Sequence, residues 1–446
     1  MVNERKYVDF NLLLQGLDPV ANTFKISVPL SAVGETREET TVSYFTEELQ
    51  KQLKRLENRR IFKDDLIEIG KQLTARLFPS EEIRNLFQSA INEAGAEGSV
   101  RLRLIISHPK LAQLPWEFCY LPVPDGQDSY DNFMALNPKF SIVRHEALDT
   151  KPPELSKEGQ ELIRLLAVTA NVEAYGKLDL DSEKEAIQAA LADFSVSGVQ
   201  LAWEPFVENP TAEELTQALD KGADLFHFAG HGEFKVTDID LETQEDKGSG
   251  SLILPKDKTD SSPTPFSANL LAKHLQRAGV RVAVLGACDS GRRDGISPWT
   301  GVAPRLIQEG IAAVVAMQYK VLDVLAMPFS RRFYTAIASG LSIDEAVSLG
   351  RLEMYREAGE GGIDWGIPVL YMRSASGVIF PGIAQKEPQA AAGLKVDIEA
   401  RLGTIEGGEF SAIEVENVVK ATQITVKVDI KHQKGGKVTG IDAINL

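Results

Sequence analysis

Cysteine is nearly absent: Cys119 and Cys288 are the only two in 446 residues. Two thiols build no disulfide framework, so burial must hold the chain together, as it does in proteins of a reducing cytoplasm. Long apolar runs are missing as well. The densest, IAAVVAM at 311–317, is strand length and far short of the ~18 residues that read as a membrane helix. The opening MVNERKYVDFNLLLQ lacks the basic segment and apolar core of a secretory leader. No membrane association is expected. Positive charge is in deficit, 48 Lys+Arg against 64 Asp+Glu for a net charge of −16. Such a balance disfavours a phosphate-binding surface and excludes nucleic acid as the expected partner. Residues 384–446 hold 8 basic and 9 acidic side chains, so the acidity lies in the main body.

What is present is apolar content of 43%, enough at this length for a large core and two or three domains. From 44 to about 94 apolar residues recur at three and four positions, as in FTEELQKQLKRLE and PSEEIRNLFQSAI, which is a helical pattern. RLRLIIS at 101–107 and FSIVRH at 140–145 read as strands flanking LPWEFCYLP. There Trp116 and Glu117 are assigned to the core, and Cys119 to a buried structural thiol. A regular alternation then begins with the strand ELIRLLAVT (161–169). The helix DSEKEAIQAALADF follows, opened by Ser182 with Glu185 at the capping-box spacing. Next come the strand VQLAWE, the helix TAEELTQALDKG, the strand ADLFHFAG, the helix FSANLLAKHLQRAG, the strand VRVAVLGA, a helix near 300–309 and the strand AAVVAM. The alternation predicts right-handed βαβ units, hence an α/β fold with a mostly parallel sheet and helices on both faces.

Two stretches interrupt this order. Between His231 and Phe266 the chain is polar, and only SLILP looks like a strand. An insertion of that length is expected to be a binding loop or a flap. AQKEPQAAAG at 384–393 is a linker by composition. The tail after it alternates strictly (KVDIEARL, ITVKVDI) and reads as a small all-β module. It repeats, since GGEFSAIEVENV (407–418) and GGKVTGIDAINL (435–446) align without gaps at an offset of 28. Two similar β units, each with a Gly-Gly reversal, are the simplest account. With no catalytic constellation, the module is read as a recruitment or sensing element or as a structural cap.

The chemistry concentrates in two strings, DLFHFAGHG at 224–232 and RVAVLGACDSG at 281–291. Each is an apolar strand that breaks into small residues with a reactive side chain at the break. Open parallel sheets present chemistry at such strand ends. A lone cysteine is more often a buried inert thiol, but burial would place it among Val and Leu rather than after Gly286-Ala287. Cys288 is therefore the candidate nucleophile. His231, between Gly230 and Gly232, is free to leave the sheet and is the candidate base, whereas His227 lies inside the strand and is read as structural. HFAGH has two histidines at i and i+4, which suits zinc only on a helix with the HExxH glutamate, so no metal is expected. A thiolate made available by the imidazole would attack a carbonyl, and the imidazole would protonate the leaving amine. The backbone N–H groups of Gly232 and Cys288 are the candidate oxyanion donors. No third residue that would orient His231 is evident.

His-Gly after one strand and Cys after the next resembles the arrangement of caspase-like (clan CD) cysteine peptidases. LPWEFCYLP, FSIVRH, HFAGHGEF, VLGACDSG, VVAMQYKVLDVLAMPFSRRFYTAI and DWGIPVLY, in that order over about residues 40 to 380, narrow the resemblance to the separase-related CHAT family. The resemblance implies a caspase-like three-layer sandwich. A degenerate protease-like part (1–155) would pack on an active peptidase domain (156–383), ahead of the linker (384–393) and the β module (394–446). It makes His231 and Cys288 the dyad. QYKVLDVLAMPF also resembles the separase segment whose acid reads a basic P1 side chain, which puts Asp323 at the base of the S1 pocket with Tyr319 lining it. A helix N-cap is the plainer reading of Asp323. The acid that metacaspases carry two residues before the nucleophile is absent, because Gly286 stands there.

Function follows as an expectation: a cysteine endopeptidase of proteins or peptides, in bacterial signalling or defence. It would stay latent until a protein activator or upstream sensor engages the C-terminal β module. The alternative is a catalytically inactive CHAT-fold scaffold that recruits partners through its tail. No motif implies a cofactor. Arg292-Arg293, just after the nucleophile, would be a self-processing site if the S1 pocket is acidic, and otherwise a solvated loop.

Overall fold

The computed structural model describes residues 6–29, 31–122, 128–156, 160–192, 194, 199–203, 206–240, 245–257, 260–286, 298–319, 321–359, 361–379, 395–402, 405–406, 423–430 and 433–434. The chain divides into two compact units, Asn3–Gln385 and one containing Lys386–Leu446.

The larger unit opens with three strands, β1 (Tyr7–Asp18), β2 (Thr23–Ser27) and β3 (Thr40–Ser43). Phe10, Leu12 and Leu14 alternate along β1 and are fully buried, the period-two pattern of a strand with one face on a core. Helices α1 (Glu47–Glu57), α2 (Lys63–Leu77) and α3 (Glu81–Ala94) follow, then β4 (Ser99–Ile106), the one-turn α4 (Pro109–Ala112) and β5 (Phe140–His145). Thr46 and Ser80 cap α1 and α3 by accepting the N–H groups of Leu49 and Ile83.

The second stretch comprises β6 (Leu162–Ala170), α5 (Leu180–Ala192), β7 (Gln200–Trp203), β8 (Val207–Glu208), α6 (Ala212–Asp220), β9 (Leu225–Asp240), β10 (Glu245–Pro255) and β11 (Pro263–Ser267). It continues with α7 (Ala268–Ala278), β12 (Val282–Gly286), α8 (Pro298–Gln308), β13 (Ala313–Met317), α9 (Asp323–Ala338), α10 (Ile343–Ala358) and β14 (Pro368–Met372). One sheet runs through both stretches in the order β11-β10-β9-β12-β13-β14-β5-β4-β1-β2-β3, with β6 also on β9 and β7 and β8 on β6. Strands β6, β9, β12 and β13 are parallel neighbours, as are β14 and β5, β5 and β4, and β4 and β1. β14 is antiparallel to β13. Helices α5, α9 and α10 pack side by side, and α6, α7 and α8 form a second group. The result is the three-layer α/β sandwich that the alternation predicts, with a mostly parallel sheet.

Two local expectations are corrected. Helix α5 starts at Leu180, and its cap is Asp179, which accepts the Ser182 N–H at 3.3 Å and the Ser182 hydroxyl at 2.8 Å. Ser182 is thus third in the helix rather than its cap, because an acid one turn earlier already satisfies that N–H. The polar stretch after His231 is largely strand rather than loop. β9 continues to Asp240 and pairs antiparallel with β10 from Ile253↔His231 to Glu245↔Asp240. Its outer partner β11 (PTPFS) sits at the sheet edge, where proline costs no ladder bond.

In the smaller unit β15 (Lys395–Leu402) pairs in parallel with β17 (Gln423–Ile430), and β16 (Ile405–Glu406) with β18 (Gln433–Lys434). Lys395 faces Gln423 and Ile405 faces Gln433, the same offset of 28 at which the sequence repeats. Equivalent strands of the two units therefore lie side by side. The Gly-Gly pairs at 407 and 435 and the 384–393 linker lie outside the described residues. Among the described residues no helix is long and apolar enough to cross a membrane.

Candidate active site

The second stretch ends its parallel strands together. A cleft where the parallel part of β9 stops and β12 and β13 end is lined by Gly230, Gly286 and Met317, with Leu178, Asp179, Leu180 and Glu183 from the β6–α5 side. Val321, Ala326 and Ser330 close it at and within α9. Carboxyl ends of strands in an open α/β sheet are where such folds bind ligands. Gly230 fits this spot for a packing reason. A Cβ there would lie 2.7 Å from the Ala170 carbonyl oxygen and from the Phe228 ring, so any side chain would prise β9 from β6.

His231 follows directly and is fully buried. Its Nε2 lies 3.0 Å from the carbonyl oxygen of Gly176, and its ring packs on Tyr175 with centroids 5.6 Å apart. A carbonyl only accepts, so Nε2 carries a proton. The Gly176 carbonyl is a partner of the His231 ring that no sequence motif announces. A backbone carbonyl leaves no side-chain signature. The only trace is the glycine itself, whose φ of 101° and ψ of 162° after the turn Glu173–Tyr175 suit glycine alone.

His227 lies four residues earlier on the same face of β9 and is fully buried. The Tyr334 hydroxyl is 3.0 Å from its Nδ1, while its Nε2 has no hydrogen-bond partner and stands 3.6 Å from Glu183 Oε1. Burial lowers the pKa of this ring to about 3, so the close approach to Glu183 is not an ion pair at neutral pH. Glu183 Oε1 accepts a 2.8 Å hydrogen bond from the Ser330 hydroxyl. The histidine read as structural is thus built into the wall behind the cleft. No group of three His, Cys, Asp or Glu among the described residues could hold a metal ion.

The CHAT domain model matches residues 68–380, more than two thirds of the chain. The chain belongs to the CHAT-domain family. No curated protein matches it in sequence. Solved structures similar to this CHAT chain include the Arg-specific cysteine proteinase gingipain R (RgpB), at 13% identity and TM-score 0.39 over 66% of this chain and 68% of that one. The Saccharomyces cerevisiae separase–securin complex matches at 12% identity and TM-score 0.42, over 82% of this chain and 30% of that one. Caspase-1 from Spodoptera frugiperda matches at 9% identity and TM-score 0.31, over 51% and 93%.

The remaining residues singled out in the CHAT sequence fall as follows. Cys288 and Arg292-Arg293 lie outside the described residues; the described part of β12 ends at Gly286, two positions before Cys288. Gly232 lies in the β9–β10 ladder opposite Leu252. Asp323 is the first residue of α9, and its N-cap is Leu322. The Leu322 N–H donates to Asp364 Oδ1 at 3.1 Å, and Asp364 is gripped by Arg59 through two bonds of 2.9 and 2.6 Å. A residue from the α1–α2 connection thereby helps fix where α9 begins. Burial raises the pKa of the Tyr319 hydroxyl, and Glu57 adds to the shift. The strand-end cleft takes its lining from Met317 and Val321 on either side of Tyr319. Cys119, Trp116 and Glu117 are fully buried, and burial raises the Cys119 thiol pKa far beyond the reactive range.

Proposed function

We propose that this chain is a cysteine endopeptidase in which Cys288 is the nucleophile, His231 the base and then the acid, and the N–H groups of Gly232 and Cys288 the oxyanion donors. The observation that supports it most is the hydrogen bond from His231 Nε2 to the Gly176 carbonyl. With the Nε2 proton directed at that carbonyl, Nδ1 would act as the basic nitrogen, on β9 beside the strand that leads to Cys288. Nδ1 would take the thiol proton, the thiolate would add to the substrate carbonyl, and the same proton would pass to the leaving amine. Water would then release the acyl group. The family resemblance extends this to a latent, cytoplasmic enzyme of bacterial signalling or defence, switched on by a partner that engages the β tail.

Labelling tests the reading directly. A peptidyl acyloxymethyl ketone should modify Cys288 in the full chain, and His231→Ala should slow modification by roughly a hundredfold or more. Equal labelling of wild type and His231→Ala would leave an ordinary exposed thiol and favour the scaffold alternative.

A further inference from the structure

Helix α1 ends on a residue that its backbone does not favour. Asn58 is the C-cap, the Arg59 N–H donates to the Leu56 carbonyl at 2.9 Å, and the Arg60 N–H to the Arg55 carbonyl at 2.8 Å. This pair of bonds is the Schellman ending, in which the residue at the Arg59 position is left-handed and commonly glycine. Arg59 takes that conformation with a φ of 56°, under a steric strain that glycine would not feel. The side chain gives a reason for an arginine there. Its guanidinium holds both carboxylate oxygens of Asp364, a fork that lysine cannot make. Asp364 is buried in the turn just before β14, and its Oδ1 also accepts the Leu322 N–H at 3.1 Å.

Leu322 sets one wall of the strand-end cleft. Its carbonyl accepts the Leu325 and Ala326 N–H groups at 2.8 and 3.0 Å and so starts α9. Val321 before it and Ala326 after it line the cleft. Apolar burial does not fix this turn, since Leu322 and Val324 are 43% and 66% exposed, and leucine has no side-chain oxygen with which to cap a helix. We propose that Arg59 is a positioning residue of the peptidase: acting through Asp364, it holds the Leu322 turn and with it the cleft wall along which substrate lies. The inference rests on the Cys–His reading above, and on the cleft adjoining His231 through Gly230. A peptide whose carbonyl reached Cys288 would pass Val321 and Ala326, and a shift of about 1 Å in such a wall is enough to slow reaction about a hundredfold. The first stretch of the chain would then take part in turnover through one side chain, rather than only cover the second.

Two electrophiles applied to the full chain separate positioning from folding, with modification of Cys288 followed by mass spectrometry. A peptidyl acyloxymethyl ketone occupies the cleft before it reacts, whereas iodoacetamide is too small to span it and reports the thiolate alone. Arg59→Gly suits the left-handed backbone, so the variant should fold, and it removes the fork. It should react roughly thirtyfold more slowly with the ketone and within about twofold of wild type with iodoacetamide. Asp364→Asn should do the same, and the double variant should be no slower than the slower single, because the two residues act as one unit. Arg60→Ala, at the exposed neighbour, should change neither rate. If Arg59→Gly fails to fold, Arg59→Lys carries the same expectation, since it keeps the charge and loses the fork. Ketone labelling of the Arg59 variant at or above the wild-type rate overturns the proposal. Equal losses with both electrophiles also overturn it, as do losses that multiply in the double variant. These outcomes leave the Cys–His reading standing when ketone labelling of the wild type requires His231. Wild-type labelling that does not require His231, or none at all, sinks that reading and the proposal with it.

Discussion

Two histidines of one sheet, His145 at the end of β5 and His231 just past the parallel part of β9, have different surroundings. His145 closes β5, and its Nδ1 lies between the Arg103 guanidinium at 3.2 Å and the Met372 carbonyl at 3.3 Å. Burial, with Arg103 close by, lowers its pKa to about 4. His231 comes after the parallel part of β9 and is oriented from outside the sheet, by the Gly176 carbonyl of the β6–α5 connection. The contrast extends to the strands. β4 and β5 carry the buried Arg101, Arg103 and Arg144, spent on internal pairs with Asp9, Asp344 and Glu117. In β12 and β13, by contrast, every residue is apolar or glycine. Side-chain charge in the first stretch holds the sheet together. In the second, β12 and β13 carry no charge at all, and the buried histidines of the neighbouring β9 take their partners from outside the sheet. A strand end becomes a site when its side chain is oriented by a loop rather than consumed by its neighbours in the sheet.

The sharpest way to break this comparison is to delete each histidine. His231→Ala should lower kcat/KM by about 10³-fold or more with little change in melting temperature, as removal of a base does. His145→Ala should leave kcat/KM per folded molecule within about threefold and lower the melting temperature instead. Equal activity losses in steady-state assays would abolish the distinction. The next effect is on stability. Arg144 is fully buried, donates to Glu117 at 3.1 and 2.6 Å, and reaches Gln318 at 2.8 Å. Arg144→Met strands the Glu117 carboxylate and should cost about 3–5 kcal/mol in urea unfolding, whereas the double variant with Glu117→Leu should recover most of that loss. A double variant as weak as the single would mean that packing, not charge, sets the cost.

Much of this was legible in the sequence, and what was not has physical causes. The alternation after 160 gave strands and helices to within a few residues, because apolar period and turn residues agree there. β1 carries a period-two pattern in Phe10, Leu12 and Leu14, but β2 and β3 are too short, at five and four residues, to show one. The β9–β10 extension is polar and has no apolar face to announce a strand, which is why its sequence resembles a loop. The flanking glycines single out His231 in the sequence as a candidate, whereas its Gly176 partner carries no such mark, since a carbonyl belongs to every residue. Glu183 precedes Gly286 by 103 residues in sequence, and the tertiary packing of α5 brings the two together.

Gly176 offers a finer test of the same idea. Its φ of 101° is one that alanine adopts only with strain, about 1–3 kcal/mol. Gly176→Ala should therefore turn the carbonyl away from His231. The expected result is a kcat roughly tenfold lower with KM little changed, and an acidic limb of the pH–rate profile moved to lower pH, because imidazolium loses an acceptor. A drop in stability with an unmoved pH profile would make the bond structural only.

The smallest effect separates the two stretches through their protons. Burial depresses His227 to about 3, and His145 falls to about 4. Both rings bind a proton on unfolding below about 6.5. Their stabilising contribution is complete above that value and is lost as pH falls toward 4 and 3. Glu146, next to His145, goes the other way, since burial lifts it to about 7. It binds its proton in the folded state, so its contribution is complete below about 4.5 and is lost as pH rises through 7. Between pH 5 and 6 the unfolded chain thus takes up about two protons at the histidines while the folded chain keeps about one at Glu146. The slope of unfolding free energy with pH from these groups is about one net proton, positive. Glu146→Gln should steepen the slope by about one proton, and His145→Gln should flatten it by about one. Urea midpoints measured at pH 5 and pH 6 give the slopes. If His145→Gln leaves the slope unchanged, the ring is not held neutral at the end of β5, and the contrast with His231 loses its basis.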